Sequence, residues 1–290
     1  MDRKALVGCL SAALLLMGTL SCSRQKAIVV GSKNFTEQVV LGEILAQQIE
    51  RRLGVPVIRK LDLGGTLLAH EALTGGSIDL YPEYTGTALT AVLKRPAMAD
   101  ANAVFDAVRD AYHRQWELAW IPPLGFINTF AMVVRRDAGA STLSEAAGAQ
   151  AWRLGMGYEF RQRPDGLDGL LKAYRLRLQG DPVTMDLGLL YAALQGRKVD
   201  MIAANSTDGL LSVLDVKTLA DDRHYFPPYQ CAVIVREATL AQFPGLRAAL
   251  AQLSGKITES VMRDLNYQLD GKHRRAADVA QEFLRRLPAQ

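Results

Sequence analysis

The sequence predicts an α/β fold built as two interleaved lobes, and three observations carry that expectation. Short β-branched runs alternate with longer helical patterns from Lys26 onward, two similar apolar strands lie about 90 residues apart, and no Pro/Gly/Ser-rich linker or internal repeat divides the chain into consecutive units. With 290 residues, 49% hydrophobic and 22% charged, the chain can bury enough apolar surface to offset its conformational entropy, which excludes disorder for most of its length. The 34 basic and 30 acidic residues are dispersed, so a net charge of +4 leaves no footprint for nucleic acid.

Taken in order, Ala27–Val30 is a β-branched strand ending at Gly31. Thr36–Leu53 places Val40, Leu41, Ile44, Leu45, Ile49 and Leu53 on one helical face, with Asn34 and Glu37 at the spacing of a capping box. Val57–Leu61 is the next strand, Thr66–Leu73 a short helix and Ile78–Tyr81 a further strand. Later strands fall near Phe130–Arg135, Arg153–Met156, Met201–Ala204 and Ala232–Val235, and this rhythm predicts mainly parallel sheet. The helix Ala276–Leu287 carries Val279, Phe283 and Leu287 on one face. Its flanking Lys272–Arg275 and Arg285–Arg286 read as a solvated surface.

Asn128–Asp137 and Tyr229–Glu237 are both apolar strands ending in Arg and an acid. A chain that leaves one lobe at the first, builds a second and returns at the second gives lobes of 27–128 plus 229–290 and of 129–228. Short hinges would join them, with a cleft between, where small-ligand sites usually form.

The N-terminus reads as an export signal over 1–21. Arg3 and Lys4 precede an uncharged run from Ala5 to Leu20, followed by Ser21 and Cys22. The run is shorter than the ~20 residues of a spanning helix. Cys22 after a small residue resembles a bacterial lipobox, where it would carry lipid, although Thr19 stands where such boxes usually have Leu. Plain secretion and a retained anchor are the alternatives. Loss of Asp2, Arg3 and Lys4 lowers the net charge by one. Cys9 would leave with the signal, so Cys231 remains as a lone thiol in an apolar strand, and the fold holds without an internal disulfide.

The motifs Gly31-Ser-Lys-Asn-Phe-Thr-Glu-Gln38, Asp62-Leu-Gly-Gly-Thr66, Ile78-Asp-Leu-Tyr-Pro-Glu-Tyr-Thr-Gly-Thr-Ala-Leu89, Phe160-Arg-Gln-Arg-Pro-Asp-Gly166, Ser206-Thr-Asp-Gly209 and Phe226-Pro-Pro-Tyr229 follow one another in the chain. In these the sequence resembles the substrate-binding proteins of glycine betaine, choline and related osmoprotectant ABC importers. The resemblance implies a two-lobed, type II-like periplasmic binding protein fold. It also implies a monomer without cofactor or metal, which closes on a small-molecule solute and delivers it to a permease and its ATPase. Its place would be the periplasm, as a lipoprotein if Cys22 is modified.

A quaternary ammonium offers no donor on nitrogen and is held by aromatic faces, whereas a carboxylate needs donors. The resemblance assigns carboxylate binding to Lys33, Thr87 and Arg163, and cage positions to Tyr84 and Tyr229. Each also has a plain alternative. Lys33 could be a solvated lysine before a helix, Tyr84 and Tyr229 core aromatics, and Thr87 the cap of a helix beginning near Ala88. Arg161 could exchange with Arg163. Gly64, Gly65 and Thr66 could offer N–H groups to an anion or simply form a tight turn. Three positions depart from the family: Asn128 and Phe130 replace the Asp and Tyr before the crossover strand, and Asn205 replaces a Tyr. A lost ring face forfeits roughly 0.5–2 kcal/mol. The pocket therefore reads as poorer for a bare trimethylammonium and better for a cationic or zwitterionic solute with polar groups beside Asn128 and Asn205.

Signatures of an enzyme are missing from the sequence. His70-Glu71 lacks the second His of a zinc protease, Gly155-Met-Gly157 lacks the third Gly of a dinucleotide loop, and neither Gly255-Lys256 nor Gly271-Lys272 completes a P-loop. The four His, at 70, 113, 224 and 273, have no metal-ligand spacing. A binding protein is thus expected, with a sensory module that signals without transport, and a secreted hydrolase, as competing readings.

Overall fold

The computed structural model describes residues 26–287; the expected export signal and Cys22 lie outside them. Two five-stranded sheets organise the molecule, one per lobe. The first contains β1 (Ile28–Gly31), β2 (Val57–Lys60), β3 (Leu80–Tyr84) and β4 (Leu118–Trp120). The second contains β5 (Phe130–Arg135), β6 (Leu154–Met156), β7 (Val183–Thr184), β8 (Met201–Asn205) and β9 (Val216–Thr218), after which β10 (Cys231–Arg236) returns to the first. The strand orders are β2-β1-β3-β10-β4 and β7-β6-β8-β5-β9.

The expectation of mainly parallel sheet is corrected. β1 pairs parallel with β2 and β3, and β6 with β7 and β8. β10 runs antiparallel to both β3 and β4, and β5 to both β8 and β9. The two antiparallel intruders are the strands that follow a crossing between lobes. A strand reached by such a crossing is not tied to its neighbour by a βαβ unit, so its direction is free of that constraint.

The helix Thr36–Leu53 has the expected bounds and buries Val40, Leu41, Ile44, Leu45 and Ile49 against β1 and the β10 residues Cys231, Val233 and Val235. It ends at Gly54, whose left-handed φ of 65° lets its N–H reach the Glu50 carbonyl. The expected capping box does not form. Phe35 is the N-cap without a side-chain bond, and the Glu37 carboxylate turns inward instead. The expected strand Ile78–Tyr81 starts later, at Leu80, and runs on to Tyr84 with all five residues buried. β4, β7 and β9 escaped the sequence reading. Each is an edge strand of two or three residues, too short to show a period.

In the second lobe, alternation along β5 and β8 fills both faces. Met132, Val134, Met201 and Ala203 pack with Trp152, Phe160 and Tyr174, while Ala131, Val133, Ile202 and Ala204 pack with Leu190, Tyr191 and Leu194. Between lobes the two crossover segments lie side by side: Ile127 and Gln230 form an antiparallel bridge, and the Asn128 N–H donates to the Tyr229 carbonyl at 3.1 Å. Cys231 is buried in β10, where burial pushes its thiol well above the ordinary pKa. No helix among the described residues is long and apolar enough to cross a membrane.

Candidate functional site

Most of the nominated side chains converge where the lobes meet, in three linked clusters. The first is centred on Lys33, just beyond β1 and only 2% exposed. Its Nζ donates to Glu83 Oε1 at 2.5 Å and to Thr66 Oγ1 at 2.9 Å, and it stands 5.2 Å from the Tyr84 ring centroid. A lysine so enclosed is not the solvated residue that the plain alternative supposed. Glu83, fully buried inside β3, also accepts from the Tyr84 N–H and the Tyr81 hydroxyl. It satisfies Lys33 as a buried charge must be satisfied.

The second cluster surrounds Glu37. One carboxylate oxygen accepts from the Tyr84 hydroxyl at 2.6 Å and from Asn128 Nδ2 at 2.8 Å. The other accepts from the Thr207 hydroxyl and from Asn266 Nδ2 at 3.0 Å. Four donors from β3, the crossover, the loop after β8 and the helix Glu259–Asp270 thus meet on one carboxylate. Burial raises the Glu37 pKa against the pull of these hydrogen bonds. The Asn128 carbonyl oxygen is buried with no hydrogen-bond partner among the described residues.

The third cluster is built around Arg163. Its guanidinium grips Asp165 through Nε and Nη2, donates from Nη1 to Thr87 Oγ1 at 2.8 Å, and lies 4.9 Å from the Phe130 ring and 5.5 Å from that of Tyr229. Asp165 in turn accepts from the hydroxyls of Thr90 and Tyr229. Burial would raise the Asp165 pKa, but the Arg163 guanidinium holds it below the usual value. Arg161 is exposed, so Arg163 is the arginine turned inward. Thr87 stands at the N-terminal edge of the π-helical stretch Ala88–Val92, as expected of a cap, but it is itself helical, ending the turn Thr85–Thr87, and its hydroxyl makes no capping hydrogen bond.

Asn205 ends β8 directly opposite Phe130 in the β5 register. Its N–H donates to Asp208 Oδ2, a carboxylate that also accepts from the Tyr191 hydroxyl. Burial, with Glu37 and Asp270 nearby, pushes the Asp208 pKa up to about 7 from 3.8. Between those values the folded chain retains a proton that the unfolded chain has released. The stability it brings is therefore full below about pH 4 and is lost as pH rises through 7. The thermal midpoint is expected to rise when pH is lowered from about 8 to about 5, and Asp208→Asn to flatten that slope; an unchanged slope in the variant would assign the effect elsewhere.

Sequence reasoning gave no role in the site to the buried acids Glu37, Glu83 and Glu159. Glu37 lies at i, i+3, i+4, i+7 with Val40, Leu41 and Ile44, inside the apolar stripe where a carboxylate needs buried donors. Glu83 stands alone in an otherwise uncharged strand, a pattern that calls for a buried cation. Glu159, which accepts from the Thr66 N–H, offered no such signal.

Residues 26–286 match the family described as the substrate binding domain of ABC-type glycine betaine transport system. Among characterised relatives, the ergothioneine transport permease/ergothioneine binding protein of Helicobacter pylori is 34% identical over 269 residues, 91% of this chain and 48% of that protein, so the chain spans about half of that relative's length. The carnitine transport binding protein of Listeria monocytogenes is 31% identical over 274 residues, 92% of this chain and 89% of the relative. A crystal structure titled as a glycine betaine/carnitine/choline ABC transporter superposes with a TM-score of 0.74 at 31% identity, over 89% of this chain and 97% of that one. With two sheets arranged as in a periplasmic binding protein and a family match along nearly all of the described residues, the chain belongs to the substrate-binding proteins of glycine betaine-type ABC transporters.

Proposed function

We propose that the chain captures a betaine-class solute at the junction of its lobes, divided near 128/129 and 228/229, and presents it to a membrane permease driven by a separate ATPase. Lys33, Tyr84, Thr87, Asn128, Phe130, Arg163, Asn205 and Tyr229 form the binding region, in a monomer tethered by lipid at Cys22. The observation that carries this reading is the convergence of three aromatic rings and two buried cations from both lobes: Tyr84, Phe130 and Tyr229 with Lys33 and Arg163. A ligand with higher affinity for the joined lobes shifts the population toward them, which is the signal a permease can read.

The solute's extra chemistry follows from Asn128. A buried carbonyl oxygen without a partner favours a ligand that brings a hydrogen-bond donor. A trimethylammonium brings none, and Phe130 lacks the hydroxyl that a Tyr would supply. A betaine bearing N–H groups, such as the ergothioneine named for the Helicobacter pylori relative, meets both demands. In a thermal-shift and calorimetry panel of glycine betaine, choline, carnitine, ergothioneine and amino acids, an N–H-bearing betaine is expected to bind about tenfold or more tighter than glycine betaine or choline. Submicromolar affinity for glycine betaine or choline would reverse the preference. A panel in which no cation or zwitterion moves the melting transition would remove the receptor reading itself, because ligand at 100 times its Kd adds about 2.7 kcal/mol.

A further inference from the structure

The helix Thr66–Thr74 begins without any of the usual devices at its N-terminus. Its N-cap is Gly65, which has no side chain to accept a hydrogen bond, and its first turn contains no acid. The missing carboxylate comes from the other lobe. Glu159, on the short helix Tyr158–Gln162 after β6, places Oε1 on the Thr66 N–H. Thr66 Oγ1 is in turn held by Lys33 Nζ at 2.9 Å. Gly65 makes the approach feasible: a Cβ there would lie 2.7 Å from Glu159 Oε1. Burial raises the pKa of this carboxyl, yet the Lys33 charge and the Thr66 N–H bring it below the ordinary value, so it is ionised near neutrality. The same short segment sends a second contact across, since Arg163, one turn later, donates to Thr87.

We propose that Glu159 is an internal carboxylate seated where Thr66 and Lys33 offer an anion site, that it latches the lobes together, and that a solute carboxylate entering this seat must displace it. The buried lysine beside the helix N-terminus makes the seat more than a helix end, and the tight fit at Gly65 makes it shaped for a carboxylate. Glu159 is thereby a specificity-determining and positioning residue. It taxes every solute that bears a carboxylate and spares a cation that does not. The specificity consequence rests on the solute-binding reading; the latch does not.

The test is small-angle X-ray scattering on the mature chain without added solute, comparing wild type, Glu159→Ala and Gly65→Ala, with circular dichroism to verify folding. Both variants are expected to shift to a larger radius of gyration. Sodium acetate, titrated against sodium chloride at matched ionic strength, is expected to return Glu159→Ala toward the wild-type value saturably, and to leave Gly65→Ala extended because the added methyl fills the seat. Identical scattering for wild type and Glu159→Ala overturns the latch, and equal responses to acetate and chloride overturn the seat. Should Glu159→Ala fail to fold, Gly65→Ala and the milder Glu159→Gln carry the comparison.

In a second arm, Glu159→Gln is expected to change the affinity ratio of glycine betaine to choline about tenfold in favour of the carboxylate-bearing solute, the effect of weakening one charge-assisted hydrogen bond. An unchanged ratio overturns the displacement. Wild type that binds no member of the solute panel would instead count against the receptor reading and leave the scattering result to decide the latch.

Discussion

Lys33→Met is expected to lower the unfolding free energy by about 3–5 kcal/mol, the cost of leaving a buried charge uncompensated. Its partner Glu83 is fully buried, 2.5 Å away, and cannot reach water when the ammonium is removed. Against a total stability of about 5–15 kcal/mol for a folded protein, this is a large fraction. The companion variant Lys33→Met/Glu83→Gln removes both charges and keeps one acceptor oxygen for the Tyr84 N–H, while its amide N–H can donate to the Tyr81 hydroxyl oxygen. Most of the loss should return in that pair, since replacing both members of a buried ion pair is far gentler than breaking it. Urea unfolding of the three proteins decides the matter. A single variant within about 1 kcal/mol of wild type would mean that Glu83 does not depend on Lys33.

Glu37→Ala is expected to cost about 4 kcal/mol, because it strands the buried donors of Tyr84, Asn128 and Thr207 and removes one of the two acceptors of Asn266 Nδ2, which keeps the Thr207 carbonyl. Each unsatisfied group costs about 1–3 kcal/mol, and the sum is reduced because neighbouring donors can re-pair. Glu37→Gln keeps one acceptor oxygen and should lose much less. The pH dependence has a definite sign. Burial raises the carboxyl's pKa in the folded chain, so its protonated form is favoured there, and the associated stability falls as pH climbs from the unfolded value of 4.5 through the folded one. Chemical unfolding at several pH values would show the wild-type slope and its reduction in Glu37→Gln, the remainder being carried by Asp208. A steeper loss for Gln than for Ala would contradict the acceptor role.

Much of the architecture was legible because it is written locally. The stripe Val40, Leu41, Ile44, Leu45 and Ile49 fixes the helix Thr36–Leu53 and the face it buries, and β-branched runs mark β1, β5 and β10. Strand direction is not local. Nothing within Cys231–Arg236 says that it will lie antiparallel between β3 and β4, because that follows from where the chain has travelled since Trp120. The site divides in the same way. Motifs marked Lys33, Tyr84, Arg163 and Tyr229, but the acids that hold them are identified by partners far off in the chain, as Glu83 is by Lys33 fifty residues earlier. Asn34 and Glu37 had capping-box spacing, and four long-range donors outbid a single local cap.

The position of β10 has a consequence for the order in which the molecule can assemble. β4 touches the rest of its sheet only through β10, so until residues Cys231–Arg236 join the sheet the edge of β3 stands open and β4 has no strand to pair with. The second sheet draws all five strands from one uninterrupted stretch, Phe130–Thr218, and can be completed earlier. An unpaired β3 edge is a template for pairing with other chains. A chain that has formed β1–β3 without β10 is thus the species most prone to aggregate, and a truncation that stops before Cys231 would leave that hazard permanent.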